Sequence, residues 1–227
     1  MILAYHSIFS MYGFWLPNDP RGSGSDYIAV WELFRYGVAT KVDTRRSVAH
    51  VAHDQRARLA AKQSLRYPPV EITGQQALAV AAGFAQACAD ADYRIHACAI
   101  LPEHVHLVIG AHPRNIRTIV GHFKSRATRA LKEQGLWHSD GRPVWGEHGW
   151  NVWLEELAAV ERAVEYVERN LEKEGQRAQR WNFVTRFDLG LAEEIARQPA
   201  AAKRRIGGAA LRSREEAEKR ARRERRG

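Results

Sequence analysis

The sequence predicts an α+β domain in which an antiparallel sheet has helices packed on one face. Three observations carry this. Hydrophobic residues make up 45% of the 227, enough for a real core. Two strand-like runs, 93–101 and 104–109, are separated only by Pro102-Glu103, a link short enough to imply an antiparallel hairpin. Stretches with apolar residues at helical spacing lie on both sides of that hairpin.

The elements follow in order. Residues 2–10 alternate loosely and read as a first strand; no basic residues lead the run, and His6 and Ser7 break it, so it is not read as a signal peptide. "WLPNDPRGSGSD", 15–26, is a loop by its Pro, Gly, Asn and Asp content. It opens an insertion of about residues 20–70, in which 47–65 has helical character with Ser47 as its cap. "YPPVEITG" closes that element, and Thr73 or Gly74 opens a helix with Leu78, Ala81, Ala82, Ala85 and Cys88 at helical spacing. After the hairpin, 115–134 is a basic amphipathic helix ended by Gly135. "GRPVWGEHGWNVWLEE" holds one more strand, and 158–174 is a helix that Gly175 ends. "QRWNFV" reads as a last short element. The order β, insertion, α, ββ, α, β, α is the βαββαβ-like sequence of a ferredoxin-like fold. The expected domain spans 1–190, and 195–227 is expected to be a basic tail, flexible or a solvated helix.

The net charge of +9 points to an anionic partner, nucleic acid before membrane surface. Residues 203–227 hold eleven Lys or Arg against four Glu, a net of +7, so only +2 remains for the rest. Any nucleic-acid site on the folded part is therefore a local patch. Two cysteines, Cys88 and Cys98, give no disulfide framework and read as buried thiols in a reducing cytosol. No apolar run approaches the ~20 residues of a membrane span, so the expected location is cytoplasmic, with no membrane partner.

The chemistry begins at "LPEHVHLV", residues 101–108. Side chains two apart on a strand share a face, so His104 and His106 are neighbours while Val105, Leu107 and Ile109 point into the core. Two neutral imidazoles on one face can hold a divalent metal. Two histidines on the open face of a sheet are the other reading, and the pair alone leaves both open. His96, His112 and His122 lack a convincing partner. A histidine triad would need a third His where Val108 stands, and a helical HExxH site is excluded by the strand spacing. The second constellation is "AVEYVERNLEKEG", 163–175. On a helix Tyr166, Asn170 and Lys173 fall on one face, with Arg162 and Arg169 beside it. Val160, Ala163, Val164, Val167 and Leu171 form an apolar stripe that should dock on the sheet.

Together these residues resemble the HUH single-tyrosine transposases, in the insertion-sequence-200-like and REP-associated tyrosine transposase group. That family carries an "LPxHVHLL"-type strand and a "YIxxNPxKAG"-type helix; this chain has "LPEHVHLV" and "YVERNLEKEG". "HFKSRATRAL" (122–131) is similar to its basic helix, "PVWGEHGWNVWLEE" (143–156) to its Trp-containing strand, and "YHSIF" to its first strand. The departure is Leu171 where the family has Pro, with Glu172 and Glu174 adding negative charge.

The resemblance implies roles residue by residue. His104, His106 and Asn170 would hold Mg²⁺ or Mn²⁺, Tyr166 would be the nucleophile, and Lys173 would contact phosphate. The implied activity is DNA transposition through metal-dependent nicking and strand transfer, with a covalent 5′-phosphotyrosine intermediate and single-stranded or hairpin DNA as substrate. DNA contacts are expected from Arg117, Lys124, Arg126 and Arg129 on the basic helix, together with Arg162, Arg169 and Lys173. Trp137, Trp145, Trp150 and Trp153 are candidates for stacking on bases. The family includes monomers and homodimers with exchanged active sites, so Tyr166 could serve its own or a partner's metal. Two alternatives stand beside this: a domesticated, non-catalytic DNA- or RNA-binding module of the same fold, and a phosphoesterase acting on small nucleotides through water.

Overall fold

The computed structural model describes residues 2–14, 16, 31–36, 54–138 and 140–187. The expected tail at 195–227 and most of the first half of the insertion lie outside these residues, as does the expected cap Ser47. The described elements are β1 (Ala4–Met11), a 3₁₀ turn (Trp31–Tyr36), α1 (Gln55–Gln63), α2 (Gly74–Ala91), β2 (Ile95–Ile100), β3 (His104–Gly110), α3 (Ile116–Glu133), β4 (Trp145–Leu154) and α4 (Leu157–Lys173). α1 starts behind Asp54, whose carboxylate accepts from Ala57 N. Thr73 opens α2 with a capping box, its hydroxyl accepting from Gln76 N while the Gln76 side chain accepts from Thr73 N. Asn115 caps α3, and Gly135 and Gly175 follow α3 and α4 in the left-handed conformation that glycine takes freely.

The four strands form one antiparallel sheet in the order β2-β3-β1-β4, the ferredoxin-like arrangement expected from the element order. β1 and β3 are central, with Ile8 opposite His106 and His6 opposite Val108. Each strand alternates between two faces. Tyr5, Phe9, Val105, Leu107 and Ile109 join Val80, Phe84, Ile119 and Phe123 in the larger core under α2 and α3. Phe84 is its centre, edge-on to both Phe9 and Phe123. α2 and α3 cross closely: a Cβ built on Gly83 would lie 2.5 Å from Ala127 Cα and 2.6 Å from the Arg126 carbonyl oxygen.

α2 and α3 make the expected helical layer on one face, and α4 lies on the other. Val160, Ala163, Val167 and Leu171 pack on Ala4, Ala97, Ala99, Leu101, Val108 and Leu154. The small alanines of β2 let the helix settle close to the sheet. Leu171, the departure from the family's Pro, is 3% exposed and part of this second core. Beyond α4 the chain returns along β2. The Gln179 side chain accepts from Ile100 N at 2.9 Å and donates to Ile100 O at 2.7 Å, and Thr185 N donates to Ile95 O at 2.7 Å. "QRWNFV" thus contributes a single bridge, Val184 beside Ile95.

Candidate active site

The site forms where β1, β3 and α4 meet. On β3 the two-residue period turns His104 and His106 towards α4, with ring centroids 4.9 Å apart. Val105 and Leu107, both fully buried on the opposite face, anchor the strand between them. α4 carries Tyr166 and Asn170 one turn apart on its sheet-facing edge. The Asn170 amide nitrogen lies 2.8 Å from His106 Nε2, and both groups are buried. The Tyr166 ring sits edge-on 5.7 Å from the His106 ring and keeps 44% of its surface exposed. Lys173, one turn further, places its ammonium 5.2 Å from the centre of the Tyr166 ring.

A further residue belongs to this group and was not singled out from the sequence. His6 on β1 brings its Nε2 within 3.2 Å of His106 Nδ1, with the two rings stacked 5.4 Å apart. It also stands 5.7 Å from the Tyr166 ring. The signal available was its parity: in a sheet where β1 borders β3, the even-numbered residues of both strands face one side.

Burial governs the protonation of the group. It pulls the His6 imidazolium down to about 4 and holds His106 well below the ordinary histidine value, the neighbouring His104 and His6 acting the same way. Both rings are therefore neutral at physiological pH, the form that binds metals. Burial raises the Tyr166 phenol, and the Glu174 carboxylate adds to the rise. The donor set suits a divalent ion. Imidazole nitrogens and an amide oxygen are established ligand types, and His104, His106 and Asn170 bring them to one place. Among the described residues no group of three or more His, Cys, Asp or Glu is placed to hold a metal, so an ion here would rest on imidazole and amide together.

The expected DNA-contacting cations separate into two sets. Lys124 donates to Gly146 O at 2.7 Å and lies 5.4 Å over the Phe9 ring, so it ties α3 to β4. Arg126 pairs with Asp90, Arg129 with Glu133 at 2.8 Å, and Arg169 with Glu165 at 2.8 Å. Arg117, Arg162 and Lys173 are exposed, and none of them has an ion pair among the described residues. Of the four tryptophans, Trp145 is buried and donates to Lys124 O and Thr128 Oγ1, both at 3.0 Å. Trp137 stacks under Arg142, whereas Trp153 is 55% exposed. Trp153 borders a cavity of about 390 Å³ with Asn115, Arg117, Asn151 and Trp150. No described helix is long and apolar enough to cross a membrane.

Comparison with known proteins bears on the same residues. No curated protein matches the chain significantly. Among solved structures, one of a REP-associated tyrosine transposase bound to a REP hairpin is 12% identical, covering 77% of this chain and 70% of its own, with a TM-score of 0.43. A putative transposase from Deinococcus radiodurans R1 is 14% identical, covering 79% and 94%, with a TM-score of 0.36. The family model described as "Transposase IS200 like" matches residues 66–170. That span, a little under half of the chain, holds the hairpin with His104 and His106 as well as Tyr166 and Asn170, and it is similar to the IS200-like transposases.

Proposed function

We propose that this protein nicks single-stranded or hairpin DNA and transfers the strand, with Tyr166 as the nucleophile. The observation that carries the reading is the convergence of Tyr166 and Asn170, one turn apart on α4, on the buried His106 ring. A solvated helix face needs no tyrosine set edge-on to two neutral imidazoles and no amide hydrogen-bonded to one of them. His104, His106 and Asn170 would hold Mg²⁺ or Mn²⁺. Such an ion supplies a Lewis acid that polarises the scissile phosphodiester and offsets its developing charge.

The chain's own residues supply the rest. Tyr166 Oη forms a bond to phosphorus as the bond from phosphorus to the 3′-oxygen breaks, leaving a 5′-phosphotyrosine and a free 3′-hydroxyl. The phenol gives up one proton and the departing oxygen takes one, so the exchange conserves protons. Because burial and Glu174 raise the phenol, Tyr166 reaches the reaction as a neutral hydroxyl. Lys173 lies over its ring, where an ammonium favours the phenolate as it forms. Partial burial of Tyr166 restrains its swing, and its exposed side admits the strand. Arg117 and Arg162 are the exposed cations suited to the phosphate backbone, and Trp153 to a base.

The test is covalent capture of labelled hairpin DNA in the presence of Mn²⁺. The unmodified protein is expected to form an adduct resistant to denaturation, and Tyr166→Phe to form none while still binding the DNA. Equal adduct in the variant removes Tyr166 from the role. Binding without cleavage by the unmodified protein across varied hairpins favours the non-catalytic module.

A further inference from the structure

We propose that His6 is a positioning residue that fixes the tautomer of His106, so that His106 presents a bare Nε2 on the side of Asn170. The inference rests on His106 being a metal ligand, as proposed above.

The two nitrogens of an imidazole point to opposite sides of the ring. Here each meets a different partner: Nδ1 faces His6 Nε2 at 3.2 Å, and Nε2 faces the Asn170 amide nitrogen at 2.8 Å. The Asn170 NH₂ is a donor only, so the nitrogen that receives it carries no proton. The proton of neutral His106 is then on Nδ1, where His6 Nε2 accepts it, and His6 carries its own proton on Nδ1. Both ring nitrogens of His106 have a complementary partner in this arrangement. The opposite tautomer would set two N–H groups against each other at 2.8 Å. His6 and His106 are 9% and 3% exposed, so water cannot readily replace a lost partner, and a mismatched buried donor is costly.

The same geometry gives His6 a role distinct from ligation. An ion bound at His106 Nε2 lies on the Asn170 side of the ring, beyond the reach of a group that faces Nδ1. His6 acts through His106: it holds the ring's orientation by stacking at 5.4 Å and keeps the coordinating lone pair available. The strand register sets this up, because pairing of Ile8 with His106 leaves His6 as the diagonal neighbour on the same face.

The experiment uses the full chain and two measurements. Long-range ¹H–¹⁵N NMR on the metal-free protein reads the His106 tautomer, and calorimetry with Mn²⁺ alone reads affinity. The Nδ1–H form is expected in the unmodified protein. His6→Phe keeps the ring and loses the acceptor, and should weaken Mn²⁺ binding about ten- to a hundredfold. His6→Gln restores an acceptor near the Nε2 position and should recover most of that loss. An Nε2–H form in the unmodified protein, or His6→Phe binding Mn²⁺ within about twofold of it, overturns the proposal. If His6→Phe fails to fold, the native tautomer and His6→Gln decide. The predicted tautomer together with no Mn²⁺ uptake by the unmodified protein locates the failure in the metal-site reading, and the positioning role falls with it.

Discussion

Replacing Lys124 by methionine removes an ammonium that the fold holds away from water. Its Nζ donates to Gly146 O and sits over the Phe9 ring, and burial lowers it from 10.5 to about 8, partly opposed by the Glu147 carboxylate. The sign follows from linkage. The folded pKa is depressed, so the unfolded chain binds more protons between about pH 8 and about pH 10.5, and stability rises with pH through that window. The cost of the buried charge is fully present below about pH 8. A difference of this size corresponds to about 3 kcal/mol in all, of which ~2 kcal/mol is relieved between about pH 7 and about pH 9.5; partial exposure makes both upper values. Lys124→Met lacks this contribution, and the other titrating groups cancel when the two proteins are compared. Urea unfolding followed by tryptophan fluorescence at the two pH values gives the difference. Parallel stability curves for both proteins would refute the assignment and return Lys124 to the exposed, phosphate-contacting set.

Two further outcomes follow from the packing and the surface. Gly83→Ala puts a methyl group against the Ala127 backbone, where no side-chain rotation relieves it, and should cost about 1–3 kcal/mol; an unchanged or higher melting temperature would show that α2 and α3 separate easily. Trp153→Ala should weaken single-stranded DNA binding by about 1–3 kcal/mol if a base stacks there. Its effect on stability should stay within about 0.5 kcal/mol, since the side chain is largely exposed. Fluorescence anisotropy with a labelled oligonucleotide checks the first, and an affinity change below about twofold would exclude the stacking role.

The parts of this protein that obey local periodicity were legible. Alternation at residues 104–109 placed both histidines on one face, and the 3.6-residue period grouped Tyr166, Asn170 and Lys173. The starts read at 73–74 and 115 and the glycines at 135 and 175 marked three helices to within a residue or two. What depended on pairing between distant segments was not legible. His6 looked like an interruption of an apolar strand, because its partner lies a hundred residues away and only the β1–β3 register joins them. The stripe on α4 said that the helix docks, but not on which face; the alternating small residues Ala97 and Ala99 become informative only once both faces of β2 are seen to be buried. The basic character of α3 overstated its free charge, since Lys124, Arg126 and Arg129 find partners on β4, α2 and α3 itself.

Gln179 has a consequence for the company this sheet can keep. By accepting from Ile100 N and donating to Ile100 O, one side-chain amide occupies both sites that a neighbouring strand would use. Thr185 takes the carbonyl of Ile95 at the other end of the same strand. The outer rim of β2 is thus plugged by the chain's own return segment, with no fifth strand needed. Such plugging guards against uncontrolled polymerisation through unpaired backbone. Among the described residues the opposite rim, β4 with its exposed Val152 and Trp153, carries no equivalent seal. Among the described residues the sheet is therefore polar in the geometric sense, sealed along one rim and not along the other.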